Sequence, residues 1–231
     1  MNSGGLRYFG AAVIVLAGIW LGVRFHHSRQ EHQVVSVPAG VASAPDAHGD
    51  AVLQAAATPQ PQPVIPAKLP DFSLKDLNGK PTSISSWNGK SLMINFWATW
   101  CAPCRREIPL LKTLSADWAG RNLTVVGIAV DYPDKVREFA ERFKMDYPVL
   151  IGEQDALNVA ADLGMASPAF PFTVFTDRRG EVVTLFVGEL HRPQADFILS
   201  QVQNLNQDRI QLPEARRAIA AALSAMADKA G

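Results

Sequence analysis

FWATWCAPCRREIP, residues 96–109, decides how the rest of this 231-residue chain is read. Its first residues close a charge-free run, SLMINFW at 91–97, which predicts a buried strand. Beyond Cys101, apolar side chains recur at Ile108, Leu111, Leu114 and Trp118, the spacing of one helical face. A strand thus hands over to a helix at Cys101, which places that sulfur near unpaired backbone N–H groups and the positive end of the helix dipole. A free thiol titrates at about 8.5, and such surroundings lower that value enough to supply a thiolate at neutral pH. Cys104 lies one turn further along the same face, within reach of a disulfide with Cys101. Cys101 is expected to attack and Cys104 to resolve.

The chain holds two cysteines in all, too few for a disulfide scaffold or for a four-thiolate zinc or iron–sulfur site. A zinc half-site would need two further ligands, and within the globular part the only histidine is His191. A purely structural disulfide across one helical turn would close almost no loop and stabilise little. Redox work is therefore the reading of this pair.

Working outward, LTVVGIAV at 123–130 predicts a β-branched strand, and 134–144 a helix capped by Asp134. A short strand at 148–151 and a helix at 155–163 follow. Strands at 172–176 and 182–187 are joined by the turn DRRG, and a helix runs over 194–204. On the amino-terminal side, residues 72–75 and 81–84 flank an Asp76–Lys80 turn containing Asn-Gly and predict a hairpin. The pattern is a βαβ unit joined to a ββα unit on one sheet, the α/β class. An Ala-rich helix over 213–228, with Pro213 at its first position, is appended.

Tyr8 to Val23 is an uncharged apolar run bracketed by Arg7 and Arg24. It predicts a single membrane anchor over residues 1–25, somewhat short for a hydrocarbon core of roughly 30 Å but extended by flanking arginines. A cleaved signal peptide is the competing reading, opposed by Arg24, Phe25, His26 and His27 where small residues should follow. Residues 26–66, rich in Ala, Pro and Gln, predict an extended tether. The globular domain is placed at 67–205 and the tail at 206–231. Twenty-two Lys and Arg against 22 Asp and Glu leave no basic surplus, so nucleic acid is not an expected partner.

FWATWCAPC, Pro109 five positions after the second cysteine, and PFTVFTDRRGEVV at 171–183 together resemble the membrane-anchored thioredoxin-like disulfide reductases of bacteria, the TlpA and ResA type. The likeness spans about 69–205. It implies a thioredoxin fold, a central mixed sheet flanked by helices, with an N-terminal hairpin and a strand–helix insertion near 147–163. It implies a catalytic domain on the periplasmic or outer side of the cytoplasmic membrane, with the bilayer held through residues 8–23. Expected partners are disulfide-containing client proteins, in cytochrome c maturation among relatives, and a membrane thiol electron donor. No dissociable cofactor and no metal are expected. Pro171 matches the family's cis-proline, with Pro168 as competitor, and Trp100, Pro103, Phe170 and Pro171 form the expected client surface.

Glu107 lies three residues past Cys104, on the same helical face. A carboxyl buried there would have a raised pKa and could take the proton of Cys104, a role the resemblance supports. The plainer reading is a solvated surface charge beside Arg105 and Arg106. General thioredoxins carry an aspartate in the preceding strand where this chain has Asn95, which does not titrate. Trp97 and Trp100 are expected either to shape the surface around Cys101 or, for the strand residue, to join the core. Two other classes remain: a thiol peroxidase, and a non-enzymatic module binding copper, haem or protein.

Overall fold

The computed structural model describes residues 65–229. The expected anchor, and the expected tether up to residue 64, lie outside the described residues. Among those described, no helix is long and apolar enough to cross a membrane.

Seven strands among the described residues form one sheet: β1 (Ser73–Asp76), β2 (Pro81–Ser83), β3 (Ser91–Trp97), β4 (Leu123–Ala129), β5 (Val149–Ile151), β6 (Phe172–Thr176) and β7 (Val182–Val187). Their order across the sheet is β2-β1-β5-β4-β3-β6-β7. β3, β4 and β5 run parallel, while β1, β6 and β7 join antiparallel, so the sheet is mixed. Among the described residues five α-helices accompany it: α1 (Ala102–Trp118), α2 (Pro133–Arg142), α3 (Gln154–Asp162), α4 (Arg192–Asn206) and α5 (Leu212–Asp228). This is the expected βαβ plus ββα arrangement. The β5–α3 segment is the expected insertion, and it is built into the sheet between β4 and the β1–β2 hairpin.

β3 is buried along its whole length because both neighbours and both faces are covered. Met93 and Trp97 point to the face packed by Ile108, Leu111 and Leu114 of α1, Phe139 of α2 and Ile198 of α4. Ile94 and Phe96 point to the other face, which Ala156, Val159 and Ala160 of α3 close. The period-2 alternation of a strand sends Asn95 to the α1 face, between Met93 and Trp97. Opposite Asn95 in the register is Gly127. A Cβ there would lie 3.0 Å from the Trp97 Nε1 and 3.2 Å from a ring carbon of Tyr147, so the missing side chain admits the indole.

Four helix starts differ from expectation: α3 begins one residue early at Gln154, α4 two early at Arg192, and α2 and α5 one early each. α2 begins at Pro133, whose fixed φ and missing N–H suit a first position, and Tyr132 is its cap residue. Asp134 sits inside the first turn instead, paired with Arg137, and makes no cap. The helix also stops earlier, because Lys144 takes a left-handed φ of 50°. α5 begins at Leu212, with Pro213 second. It packs through Ala215 and Ile219, and its Arg216 Nη2 donates to the Val182 carbonyl at 2.6 Å. The Val182 N–H in turn donates to the Ala67 carbonyl at 3.0 Å.

Candidate active site

β3 delivers the chain to the carboxyl end of the sheet, and the turn Ala98–Trp100 carries it to Cys101, the cap residue of α1. The Cys101 Sγ accepts the Cys104 backbone N–H at 3.3 Å, occupying one of the donors left free at a helix start. The two sulfurs are joined as a disulfide, the oxidised half of the expected cycle. Both residues are buried but unequally, Cys101 at 5% exposure and Cys104 at 0%, so of the two only Cys101 keeps any opening to solvent.

The turn before Cys101 is fixed from β4. The buried Asp131, two residues past that strand, accepts the Thr99 backbone N–H at 3.2 Å and its hydroxyl through Oδ2, and the Tyr132 N–H at 2.8 Å through Oδ1. Sequence reasoning missed this residue, although an aspartate closing a β-branched strand was its visible signal.

Glu107 is buried, at 2% exposure, and the solvated reading is excluded. Asn95 Nδ2 donates to its Oε1 at 2.7 Å and the Leu190 N–H to its Oε2 at 2.9 Å. Asn95 Nδ2 also donates to Thr173 Oγ1 at 3.0 Å, so the residue that replaces a titrating aspartate serves as donor to the glutamate. Burial raises the Glu107 pKa to about 7, against the downward pull of the Leu190 and Asn95 hydrogen bonds, with Glu189 adding a smaller upward push. No cation is paired with it among the described residues. Burial likewise pushes the Tyr147 hydroxyl upward, assisted by the charges of Glu107 and Asp146.

The expected client surface divides. Trp100 is 66% exposed and meets Phe170 edge-on, ring centroids 6.1 Å apart. Pro103 is half-buried, and Pro171 is buried with its carbonyl taken by the Gly188 N–H at 2.8 Å. The Phe170–Pro171 peptide is cis, and Pro168 is not. Since Phe172 pairs with Phe96, the 170–171 loop stands beside the end of β3 that leads to the cysteines. Trp97 belongs wholly to the core, fully buried against Phe139. Among the described residues there is no group of three or more His, Cys, Asp or Glu side chains placed to hold a metal.

A cysteine pair at a helix start, a cis-proline loop beside it and a mixed sheet with this strand order define a thioredoxin-like thiol–disulfide oxidoreductase. Residues 66–199 match the family model described as Redoxin. The thioredoxin-like protein YneN of Bacillus subtilis (strain 168) is 35% identical over 133 residues, 56% of this chain and 75% of that protein. The thiol-disulfide oxidoreductase ResA of Geobacillus kaustophilus (strain HTA426) is 31% identical over 140 residues, 60% of this chain and 78% of its own. Among solved structures, a thiol:disulfide interchange protein of the thioredoxin family from Chlorobium tepidum TLS superposes with a TM-score of 0.54 at 31% identity, covering 60% of this chain and 97% of that one. The chain belongs to the Redoxin family, in its ResA- and TlpA-type thioredoxin-like group.

Proposed function

We propose that this oxidoreductase works as a reductant of selected protein disulfides outside the cytoplasm, tethered through residues 8–23 to a bacterial cytoplasmic membrane with its domain on the periplasmic or outer side. The observation that supports the chemistry is the placement of the pair at the start of α1 with unequal burial, 5% of Cys101 exposed against none of Cys104. In the reduced protein the Cys101 thiolate attacks one sulfur of a client disulfide, breaking that bond and releasing the client's other sulfur as a thiolate. The Cys104 thiol then yields its proton to the Glu107 carboxylate, its sulfur attacks Cys101 Sγ, and the first client sulfur leaves. The client gains two electrons and two protons, and the protein is left with the Cys101–Cys104 disulfide. A membrane thiol donor restores the dithiol. The pair is itself the redox group, so the cycle uses no dissociable cofactor.

Glu107 suits the resolving step because a base is most effective when its pKa lies near the working pH, and burial brings this carboxyl to about 7. Trp100 and Phe170 are the groups that would seat the client polypeptide, and cysteine-bearing apocytochromes are the client class that the family resemblance supports.

The test is a trap combined with a potential. In Cys104→Ser the resolving sulfur is gone, so a mixed disulfide between Cys101 and the client should accumulate in cells and identify it by mass spectrometry. Equilibration of the full chain in glutathione buffers should give a potential on the reducing side of the glutathione couple. A potential near that of the strong oxidant DsbA, about −120 mV, would overturn the direction proposed.

A further inference from the structure

Two consecutive residues of α1 are gripped by two consecutive residues of the loop between β7 and α4. Arg106 Nε donates to both Glu189 carboxylate oxygens, at 3.1 and 3.0 Å, and Arg106 Nη2 to Oε2. One residue further in each segment, the Leu190 N–H donates to Glu107 at 2.9 Å. One residue earlier in the loop, Gly188 has a φ of 108° and donates its N–H to the Pro171 carbonyl. The loop therefore touches the helix carrying the cysteines, the buried carboxyl and the cis-proline at once.

We propose that Arg106 and Glu189 are positioning residues for Glu107: their ion pair fixes the Glu189–Leu190 peptide so that its N–H stays aimed at the Glu107 carboxylate. The Leu190 side chain is buried and sets the depth of the loop. The direction of the N–H belongs to the Glu189–Leu190 peptide plane, which turns about ψ of Glu189 and φ of Leu190, so holding the Glu189 side chain holds one side of that plane. A forked guanidinium on a carboxylate fixes orientation as well as distance, which a lysine or an amide in its place could not. Arg106 is 62% exposed against 20% for Glu189, so the pair is accessible to solvent and adds little stability of its own. Its effect lies in the geometry it transmits inward.

The charged and titratable groups around Glu107 are Arg106 on its own helix, Glu189 and His191 from the loop, and Tyr147 from the segment before β5. The cysteines do not titrate while they are joined. Arg106, with His191 assisting, holds the Glu189 carboxyl below its ordinary range, so Glu189 stays charged across neutral pH. A positioning role and a bare field effect then predict different signs. Removing the Glu189 charge through the field alone would make Glu107 easier to ionise; losing the Leu190 N–H would make it harder.

The bearing on turnover rests on the proposed role of Glu107, and the experiment separates the two. In the full-length disulfide form, the Glu107 carboxyl is titrated by infrared difference spectroscopy, its band identified as the one missing in Glu107→Gln. Arg106→Gln and Glu189→Gln should both move the midpoint upward, each by about one pH unit, the weight of one hydrogen bond to a charged group. The exchanged pair Arg106→Glu with Glu189→Arg should bring it back. Opposite shifts in the two single variants, or no shift in either, would overturn the proposal. If the midpoint moves while the pH profile of client reduction does not, positioning stands and the base role of Glu107 falls.

Discussion

Glu107 and Asp177 are the two most deeply buried carboxyl groups among the described residues, at 2% and 1% exposure, and they stand at opposite ends of the sheet. Asp177 opens the turn between β6 and β7. Its Oδ1 accepts the backbone N–H groups of Arg179 at 2.8 Å and Glu181 at 2.9 Å, and its Oδ2 accepts Arg179 Nε at 3.0 Å. Glu107 also has two donors, Asn95 and Leu190, but no guanidinium or ammonium among the described residues. The comparison separates a carboxylate used as a fastening from one kept ready to change its charge. A buried charge with a cation and amides around it is a fixed part of a turn. Without the cation, desolvation dominates, and the proton affinity rises to about 7.

The largest expected effect is on turnover. Glu107→Gln keeps the size and hydrogen-bonding reach of the side chain and removes the proposed base, so rapid-mixing measurements of the resolving step should show a loss of about 10²- to 10⁴-fold. The same assay on Asp177→Ala should stay within about a factor of two, as expected of a group remote from the reacting sulfurs.

Stability against pH comes next. Because the native carboxyl of Glu107 holds its proton up to about 7 while the unfolded one releases it near 4.5, the native state binds more protons between those values. Its stabilising contribution is complete below pH 4.5 and is lost as the pH rises through 7, a decline on the order of 3 kcal/mol. Urea titrations of the disulfide form from pH 4 to 8 should show that decline, and Glu107→Gln should flatten it.

Asp177→Ala strands two backbone donors and should cost about 2 kcal/mol in the same denaturation experiment. The smallest effect sharpens the contrast from the other side. Asn95→Ala removes one of the two donors to Glu107, and the midpoint of its carboxyl should rise by about one pH unit, read by the same infrared band.

Much of this was legible beforehand because the signals are local. The charge-free run of β3, the helical spacing from Ile108 to Trp118 and the short loop at 177–180 each specify structure within a dozen residues. The cysteine pair was legible from its neighbours as well, and Pro171 over Pro168 from the family resemblance and its place at the entry of a strand. What escaped depends on chain segments that meet only after folding. Leu190 reaches Glu107 from 83 positions away through a backbone N–H, which carries no residue-type signature at all. Asn95 looked like the loss of an acid and proved to be a hydrogen-bond donor, a role fixed by which residue the α1 face sets above it. Asp134 looked like a cap; Pro133, better suited to a helix start than any side-chain acceptor is to a cap, moved the start forward by one residue.

The C-terminal helix has a consequence at the rim of the sheet. β7 is an outermost strand, and at Val182 both outward main-chain groups are already engaged, the N–H by Ala67 and the carbonyl by Arg216. A neighbouring molecule seeking to extend the sheet finds no free rung at that point, so α5 and the incoming chain act together as a bumper against strand-to-strand polymerisation.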